Sequence, residues 1–289
     1  MMNDRISDKL KVLKPSGIRK FFDIVATKKD VISLGVGEPD FATPWNIVDA
    51  AFYNMKMGRT HYSSNFGLLE FRKEVGEYLK KYDLDYGPDE IIATIGGSEG
   101  IDLALRSIIN PGDEIIVPEP VYVPYRPLSE LTGATVVGID TSKTEFKVDA
   151  KELEKLITPK TKAIILCYPN NPTGITMPYE DLKAVAEVVK KHNVWVITDE
   201  IYSELTYEGE HTSIASFPGM KERTIYLNGF SKAFAMTGWR IGYICGPKEL
   251  IQQMVKIHQY TTLCAPIISQ YGAIEALKNS IPDMLSMRD

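Results

Sequence analysis

The sequence predicts an α/β fold built around a mostly parallel sheet, and three observations carry that prediction. Val194–Thr198 is an unbroken apolar run, of the kind found in strands buried on both faces. Ile91–Ile95 leads into Gly96-Gly97-Ser98-Glu99-Gly100 and then into Ile101, Ala104, Leu105, Ile108 and Ile109 at helical spacing, which reads as strand, glycine turn and helix. Three apolar runs, Lys162–Tyr168, Val194–Thr198 and Thr224–Leu227, each lead to a polar residue at positions 171, 199 and 232, which are 28 and 33 residues apart. Each gap has room for one crossover, and in doubly wound sheets ligand groups collect at the carboxyl ends of the strands.

Taken in order, residues 1–30 read as an amphipathic lead-in, with Ile18, Phe21, Phe22 and Val25 near helical spacing. Val31–Val36 is an apolar strand stopped by Gly37 and Pro39. A helix pattern runs from Leu68 to Tyr78 after Thr60-His61-Tyr62-Ser63-Ser64-Asn65-Phe66-Gly67. The glycine turn after Ile95 can aim free backbone N–H groups at an anion, with the Ser98 hydroxyl as a further donor. It has neither the ending of a Walker loop nor the glycine spacing of a dinucleotide fingerprint, so alone it reads equally as a phosphate cradle or a plain turn. Glu114–Val117 is a short strand, and Tyr122 and Tyr125 follow Pro120. Lys162–Tyr168 runs into the turn Pro169-Asn170-Asn171-Pro172-Thr173-Gly174. The next helix carries Leu182, Val185, Ala186 and Val189 as one stripe among charges.

Two residues concentrate the chemistry. Asp199 ends a buried strand, where a carboxylate is costly without a positive partner; alone, it is also an ordinary helix cap or structural pair. Lys232 lies between Ser231 and the small or apolar Ala233, Phe234 and Ala235. An ammonium in such company is destabilised relative to the free amine, which makes the lysine a usable nucleophile. Arg240, eight residues on after a Thr-Gly break, suits a phosphate, which it can hold with two parallel hydrogen bonds. An amine beside a phosphate clamp suggests pyridoxal 5′-phosphate, an aldehyde that carries a phosphate.

The stretch Asn228-Gly229-Phe230-Ser231-Lys232-Ala233-Phe234-Ala235-Met236-Thr237-Gly238-Trp239-Arg240 resembles the lysine region of the class I and II aminotransferases, of fold type I among pyridoxal-phosphate enzymes. The resemblance runs from about Val31 to Leu277. It includes Ser33-Leu34-Gly35-Val36-Gly37-Glu38-Pro39-Asp40-Phe41, Gly96-Gly97-Ser98-Glu99, Asn170-Asn171-Pro172-Thr173-Gly174 and Asp199-Glu200-Ile201-Tyr202, in family order and spacing. It implies a seven-stranded, mostly parallel sheet with helices on both faces and an incomplete small domain. The implied limits are an N-terminal arm and part of the small domain over 1–45, the cofactor domain over 46–280, and the start of a shortened C-terminal small domain over 281–289.

The resemblance also implies roles. Lys232 binds the cofactor and moves the substrate proton, Asp199 pairs with the ring nitrogen, and Asn171 and Tyr202 face the phenolate oxygen. Tyr122 stacks on the ring, while Gly97, Ser98, Glu99, Ser231 and Arg240 surround the phosphate. Tyr62 reaches the phosphate of a partner subunit in a homodimer, and Gly37, Tyr122 and Asn171 border the substrate. The implied reaction moves the amino group of an L-amino acid to a 2-oxo acid such as 2-oxoglutarate. Aspartate is the first choice of donor and aromatic residues or alanine the others. A C–S β-lyase on the same scaffold, or a cofactor-binding chain without turnover, are the alternatives. Family members continue for roughly another hundred residues and carry there the arginine for the substrate α-carboxylate; no arginine here takes that place.

Composition is compatible with this reading. The 289 residues are 44% hydrophobic and 25% charged, with 33 basic against 38 acidic residues for a net charge of −5, which gives no footprint for nucleic acid. No apolar run has membrane-spanning length and the N-terminus lacks a signal-peptide core. Cys167, Cys245 and Cys264 have no metal-type spacing, so no metal is expected; they read as reduced thiols, with the cytoplasm as the expected compartment.

Overall fold

The computed structural model describes residues 5–13 and 37–289. The chain divides into two compact units, Met1–Pro39 and Asp40–Asp289. In the first, a short helix α1 spans Asp8–Val12; the expected positions Ile18, Phe21, Phe22 and Val25 and the strand Val31–Val36 lie outside the described residues.

The second unit is built on one seven-stranded sheet: β1 (Ile91–Thr94), β2 (Glu114–Glu119), β3 (Thr135–Asp140), β4 (Thr161–Cys167), β5 (Trp195–Asp199), β6 (Thr224–Gly229) and β7 (Gly242–Cys245). Their order across the sheet is β1-β7-β6-β5-β4-β2-β3. The pairs within β6-β5-β4-β2-β3 are parallel, whereas β7 runs antiparallel to both β6 and β1. The central strands are buried on both faces, as their unbroken apolar runs require.

Side chains alternate between the two faces. On one face, Ile115, Val117, Ala163, Ile165, Ile197, Ile225, Leu227 and Ile244 pack with helix α4 (Gly96–Ile108) through Ile101, Ala104, Leu105 and Ile108. Helix α8 (Lys248–Thr261) joins them through Ile251, Met254 and Val255, as does Tyr125 of α5 (Tyr125–Thr132). The opposite face carries two clusters. Under β2, β4 and β5 lies α7 (Tyr179–His192), with Leu182, Val185, Ala186 and Val189 facing inward as their spacing predicts, next to Leu153 of α6 (Ala150–Leu156). Under β6, β7 and β1, Tyr226 and Tyr243 pack with Phe71, Val75 and Leu79 of α3 (Leu69–Leu79) and with Ala273, Ile274, Ala276 and Leu277 of α9 (Ile267–Asn279).

Helix boundaries follow local chemistry. The Asp149 carboxylate accepts the N–H groups of Lys151 and Glu152, each at 2.9 Å, and so starts α6. Asn193, in the left-handed region at φ 53°, ends α7. Two further helices, α2 (Trp45–Lys56) and α10 (Ile281–Arg288), complete the described set; Met284 of α10 is buried in the same core as α9.

The reversal of β7 gathers distant stretches of chain at one place. The ends of β1, β4, β5 and β6 and the start of β7 all face one edge of the sheet, and the register Thr94↔Gly242↔Gly229 places Arg240 there as well.

Candidate active site

Five loops meet at this edge. Asp199, at the end of β5, is 5% exposed. Its Oδ2 accepts the Tyr125 hydroxyl at 2.8 Å and its Oδ1 the Ile201 N–H at 3.2 Å. Burial pushes its carboxyl up from the ordinary 3.8 to about 6; the Tyr125 hydroxyl and Ile201 N–H pull the other way, and Glu200 pushes it further up. Both partners are neutral, so among the described residues the group lacks the cation that burial calls for. Cys167, opposite Asp199 across β4–β5, is also buried, and burial pushes its thiol up to about 12.

The turn after β4 brings Asn171 to Tyr202, whose hydroxyl oxygen accepts the Asn171 amide at 3.1 Å. Among the described residues the Tyr202 O–H and the second amide hydrogen of Asn171 remain to be donated, so the pair presents two donors from two loops. Lys232, in the turn after β6, holds its Nζ 5.8 Å from the centre of the Tyr202 ring. Its neighbours Ser231, Ala233, Phe234 and Ala235 are buried, so the lysine rises from an apolar base, as its sequence surroundings suggest. Tyr122 is half-buried after β2 and meets Tyr125 edge to face, with ring centres 5.5 Å apart at 81°. Tyr125, bonded to Asp199, thus links Tyr122 to the end of β5.

Glycine is required at two places here. Gly96, at φ +68°, opens α4, and a methyl group on it would come within 3.0 Å of Arg240 Cζ and closer still to Nη2. A side chain on Gly242 would strike the Gly96 carbonyl carbon at 2.9 Å. With both glycines present, the Arg240 guanidinium lies against the first turn of α4, beside Gly97 and the exposed Ser98. Arg240 itself sits in the left-handed region at φ 52° and donates Nη1 to the Thr237 carbonyl at 2.9 Å. A helix N-terminus and a guanidinium therefore meet at one spot, with Ser98 in the same turn, a donor set suited to a phosphate dianion.

One predicted residue faces elsewhere, and another is open to solvent. The Glu99 carboxylate turns back from the cradle to the Ile95 N–H and to His258 and Thr262. Tyr62 is 82% exposed. Gly37 belongs to the first unit and is described only within it.

Residues 29–289 match the family Aminotransferase class I and II. The chain belongs to it. Among curated relatives, the putative aminotransferase YugH of Bacillus subtilis is 50% identical over 99% of this chain and 75% of its own length. The probable N-acetyl-LL-diaminopimelate aminotransferase of the same organism is 46% identical over 100% of this chain and 73% of its own. Among solved structures, the aspartate aminotransferase of Thermus thermophilus with maleate superposes with a TM-score of 0.93, at 36% identity over 98% of this chain and 76% of that one. This class I and II aminotransferase thus spans about three quarters of the length of its relatives.

Enzymes of the family use pyridoxal 5′-phosphate, and the site fits that group on its own terms. The buried Asp199 carboxyl calls for a cation such as a protonated ring nitrogen. The cradle that a methyl on Gly96 would fill suits a phosphate, and a primary amine stands beside paired donors for an oxyanion. Two residues that support the site escape sequence reasoning. In the sequence Tyr125 reads only as a second candidate ring, and its bond to Asp199 shows only once α5 is in place. His258 carries no motif; the one local signal is Thr262 four residues on, which faces the same way from a helix end.

Proposed function

We propose that this aminotransferase moves the amino group of L-aspartate to a 2-oxo acid such as 2-oxoglutarate, with aromatic amino acids or alanine as other donors. The observation that carries the reading is the convergence of Asp199, Lys232, the Asn171–Tyr202 pair and the Arg240–Gly96 cradle on one sheet edge. The choice of aspartate rests on the likeness of the 228–240 stretch to the aspartate and aromatic branch and on the Thermus thermophilus relative. The bound pyridoxal phosphate supplies an aldehyde for the amino group and a ring that withdraws electrons from the substrate Cα.

The chain's own residues do the rest. Lys232 Nζ would hold the cofactor covalently and, when free, would serve as the general base that takes the substrate Cα proton and the general acid that gives it back. Asp199, desolvated and held by Tyr125, would keep the proton on the ring nitrogen. Asn171 and Tyr202, which are bonded to each other, would donate to the phenolate oxygen, and Tyr122 would cover one face of the ring. Gly97, Ser98, Ser231 and Arg240 would hold the phosphate, with Glu99 ordering their turn. Tyr122 and Asn171 would border the substrate.

The reading extends to a homodimer in the cytoplasm in which Tyr62 reaches the partner's phosphate. The exposed aromatic side chains Trp45, Phe52, Tyr53, Tyr62 and Tyr260 support an interface. No helix among the described residues is long and apolar enough to cross a membrane. Residues 281–289 would then open the C-terminal small domain.

The test is chemical trapping followed by turnover. After incubation with pyridoxal phosphate and hydride reduction, peptide mapping should place the adduct on Lys232, and Lys232→Ala should carry none. Aspartate with 2-oxoglutarate should yield glutamate and oxaloacetate. An adduct at another lysine overturns the site. Pyruvate and ammonia from a sulfur amino acid, without glutamate, would identify a β-lyase.

A further inference from the structure

The first turn of α4 carries a carboxylate beside a site built for an anion. Glu99 follows Ser98 directly, and an unpaired charge there would repel a phosphate held by the Gly97 and Ser98 N–H groups. The structure gives that charge a specific destination. One oxygen, Oε2, accepts the Ile95 N–H at 2.6 Å, closing the turn between β1 and α4. The other, Oε1, meets His258 Nδ1 at 3.0 Å and the Thr262 hydroxyl at 3.1 Å, both from the C-terminal end of α8. Burial alone would raise the Glu99 carboxyl; the hydrogen bonds from His258, Ile95 and Thr262 outweigh it and hold the group below its usual range.

His258 is fully buried, and its second ring nitrogen, Nε2, has no hydrogen-bond partner among the described residues. Its polar interactions therefore run through Nδ1, which faces Glu99 and the Thr262 hydroxyl, itself 3.1 Å away. A buried imidazole that leaves one nitrogen unsatisfied is costly, and what it obtains here is the Glu99 contact. The loop that carries Thr262 is fixed in turn: the Asn65 amide donates to the Leu263 carbonyl at 2.7 Å, and the buried Gln270 donates to the Ala265 carbonyl at 2.8 Å. The end of α8 is thus tied to the segment before α3 and to the start of α9.

We propose that His258 and Thr262 are positioning residues for the cofactor phosphate: they hold the Glu99 carboxylate away from the anion site and fix the Gly96–Ser98 turn in its phosphate-binding form. The proposal rests on the proposed aminotransferase site. It assigns neither residue a contact with the cofactor.

Affinities for pyridoxal 5′-phosphate and for pyridoxal, which lacks the phosphate, separate positioning from general support of the fold. His258→Leu, which keeps the ring's apolar volume but removes Nδ1, should weaken pyridoxal phosphate about tenfold, the scale of a lost hydrogen bond to a charged group. Thr262→Val, nearly isosteric and half-buried, should weaken it about threefold. Neither change should move the affinity for pyridoxal. His258→Asn, whose amide occupies the place of Nδ1, should restore most of the loss, and Glu99→Gln added to His258→Leu should relieve the repulsion. Equal weakening of both ligands, or no weakening of either, overturns the proposal, and Thr262→Val decides the matter if His258→Leu does not fold. Failure of the wild-type protein to form any adduct at Lys232 overturns the functional reading itself, and the proposal with it.

Discussion

Replacing Asp199 by asparagine should make the cofactor-free protein more stable at neutral pH while destroying its catalysis. The Asp199 carboxyl is buried and ionises near 6 instead of at the ordinary 3.8. Between those two pH values the unfolded chain has released a proton that the folded chain still holds. Stability therefore falls as pH rises through the window; the penalty is absent below about 3.8 and complete above about 6. At about 1.4 kcal/mol for each tenfold displacement of the equilibrium, the penalty at pH 7 is about 3 kcal/mol. Asparagine removes the charge and keeps an oxygen for the Ile201 N–H. The Tyr125 hydroxyl must turn toward another acceptor, which costs about 1 kcal/mol. A net gain of about 2 kcal/mol should raise the melting temperature by about 3 °C for a chain of this size. The assay is thermal unfolding of cofactor-free wild type and Asp199→Asn from pH 4 to pH 8, with turnover measured on the same samples. The gap should open between pH 4 and 6 and then stay constant. A gap independent of pH, or a mutant less stable at pH 7, would refute the claim that desolvation of this carboxylate governs the site.

Other changes test neighbouring parts of the site and its supports. Gly96→Ala forces an alanine into φ +68° and drives a methyl into the Arg240 guanidinium, so it should cost about 1–3 kcal/mol in denaturant unfolding and weaken cofactor binding. Glu200→Gln should lower stability by about 1.5–3 kcal/mol in urea titration, because the Glu200 carboxylate is 2% exposed and is bonded to His211, Ser213 and Thr198 at 2.7–3.0 Å. Tyr62→Phe should leave the melting temperature unchanged, since the side chain is exposed, and should speed cofactor loss modestly from a species that elutes as a dimer in gel filtration. A monomer that retains cofactor fully would exclude the cross-subunit contact.

Legibility in the sequence differs from residue to residue. Asn171, Asp199 and Lys232 are legible because each follows an apolar run that has to be a buried strand, and parallel strands deliver their ends to one side. The stripe of α7 is legible from its period alone. By contrast β3, with its mixed burial at the sheet edge, and β7, four residues long after a glycine-rich break, carry too little hydrophobic pattern to announce a strand. The glycine turn leaves phosphate cradle and plain turn equally open, and only the approach of Arg240 distinguishes them. Its place in the motif groups Glu99 with the phosphate ligands. The carboxylate instead turns toward a histidine far along the chain, a pairing that exists only after α8 packs on α4.

The reversed strand β7 also bears on how the protein comes together. Arg240 and Gly96 belong to distant stretches of chain, and they meet only when β7 inserts between β6 and β1. The phosphate cradle is therefore a report on the pairing of β7 with both β6 and β1. An unfolded or half-folded chain can offer a lysine to an aldehyde, but it cannot offer this cradle. The cofactor thus selects for the finished sheet, and at a concentration a hundred times its dissociation constant it would add about 2.7 kcal/mol to the folded state. Vitamin supply would in this way set how long the protein survives as well as how fast it works.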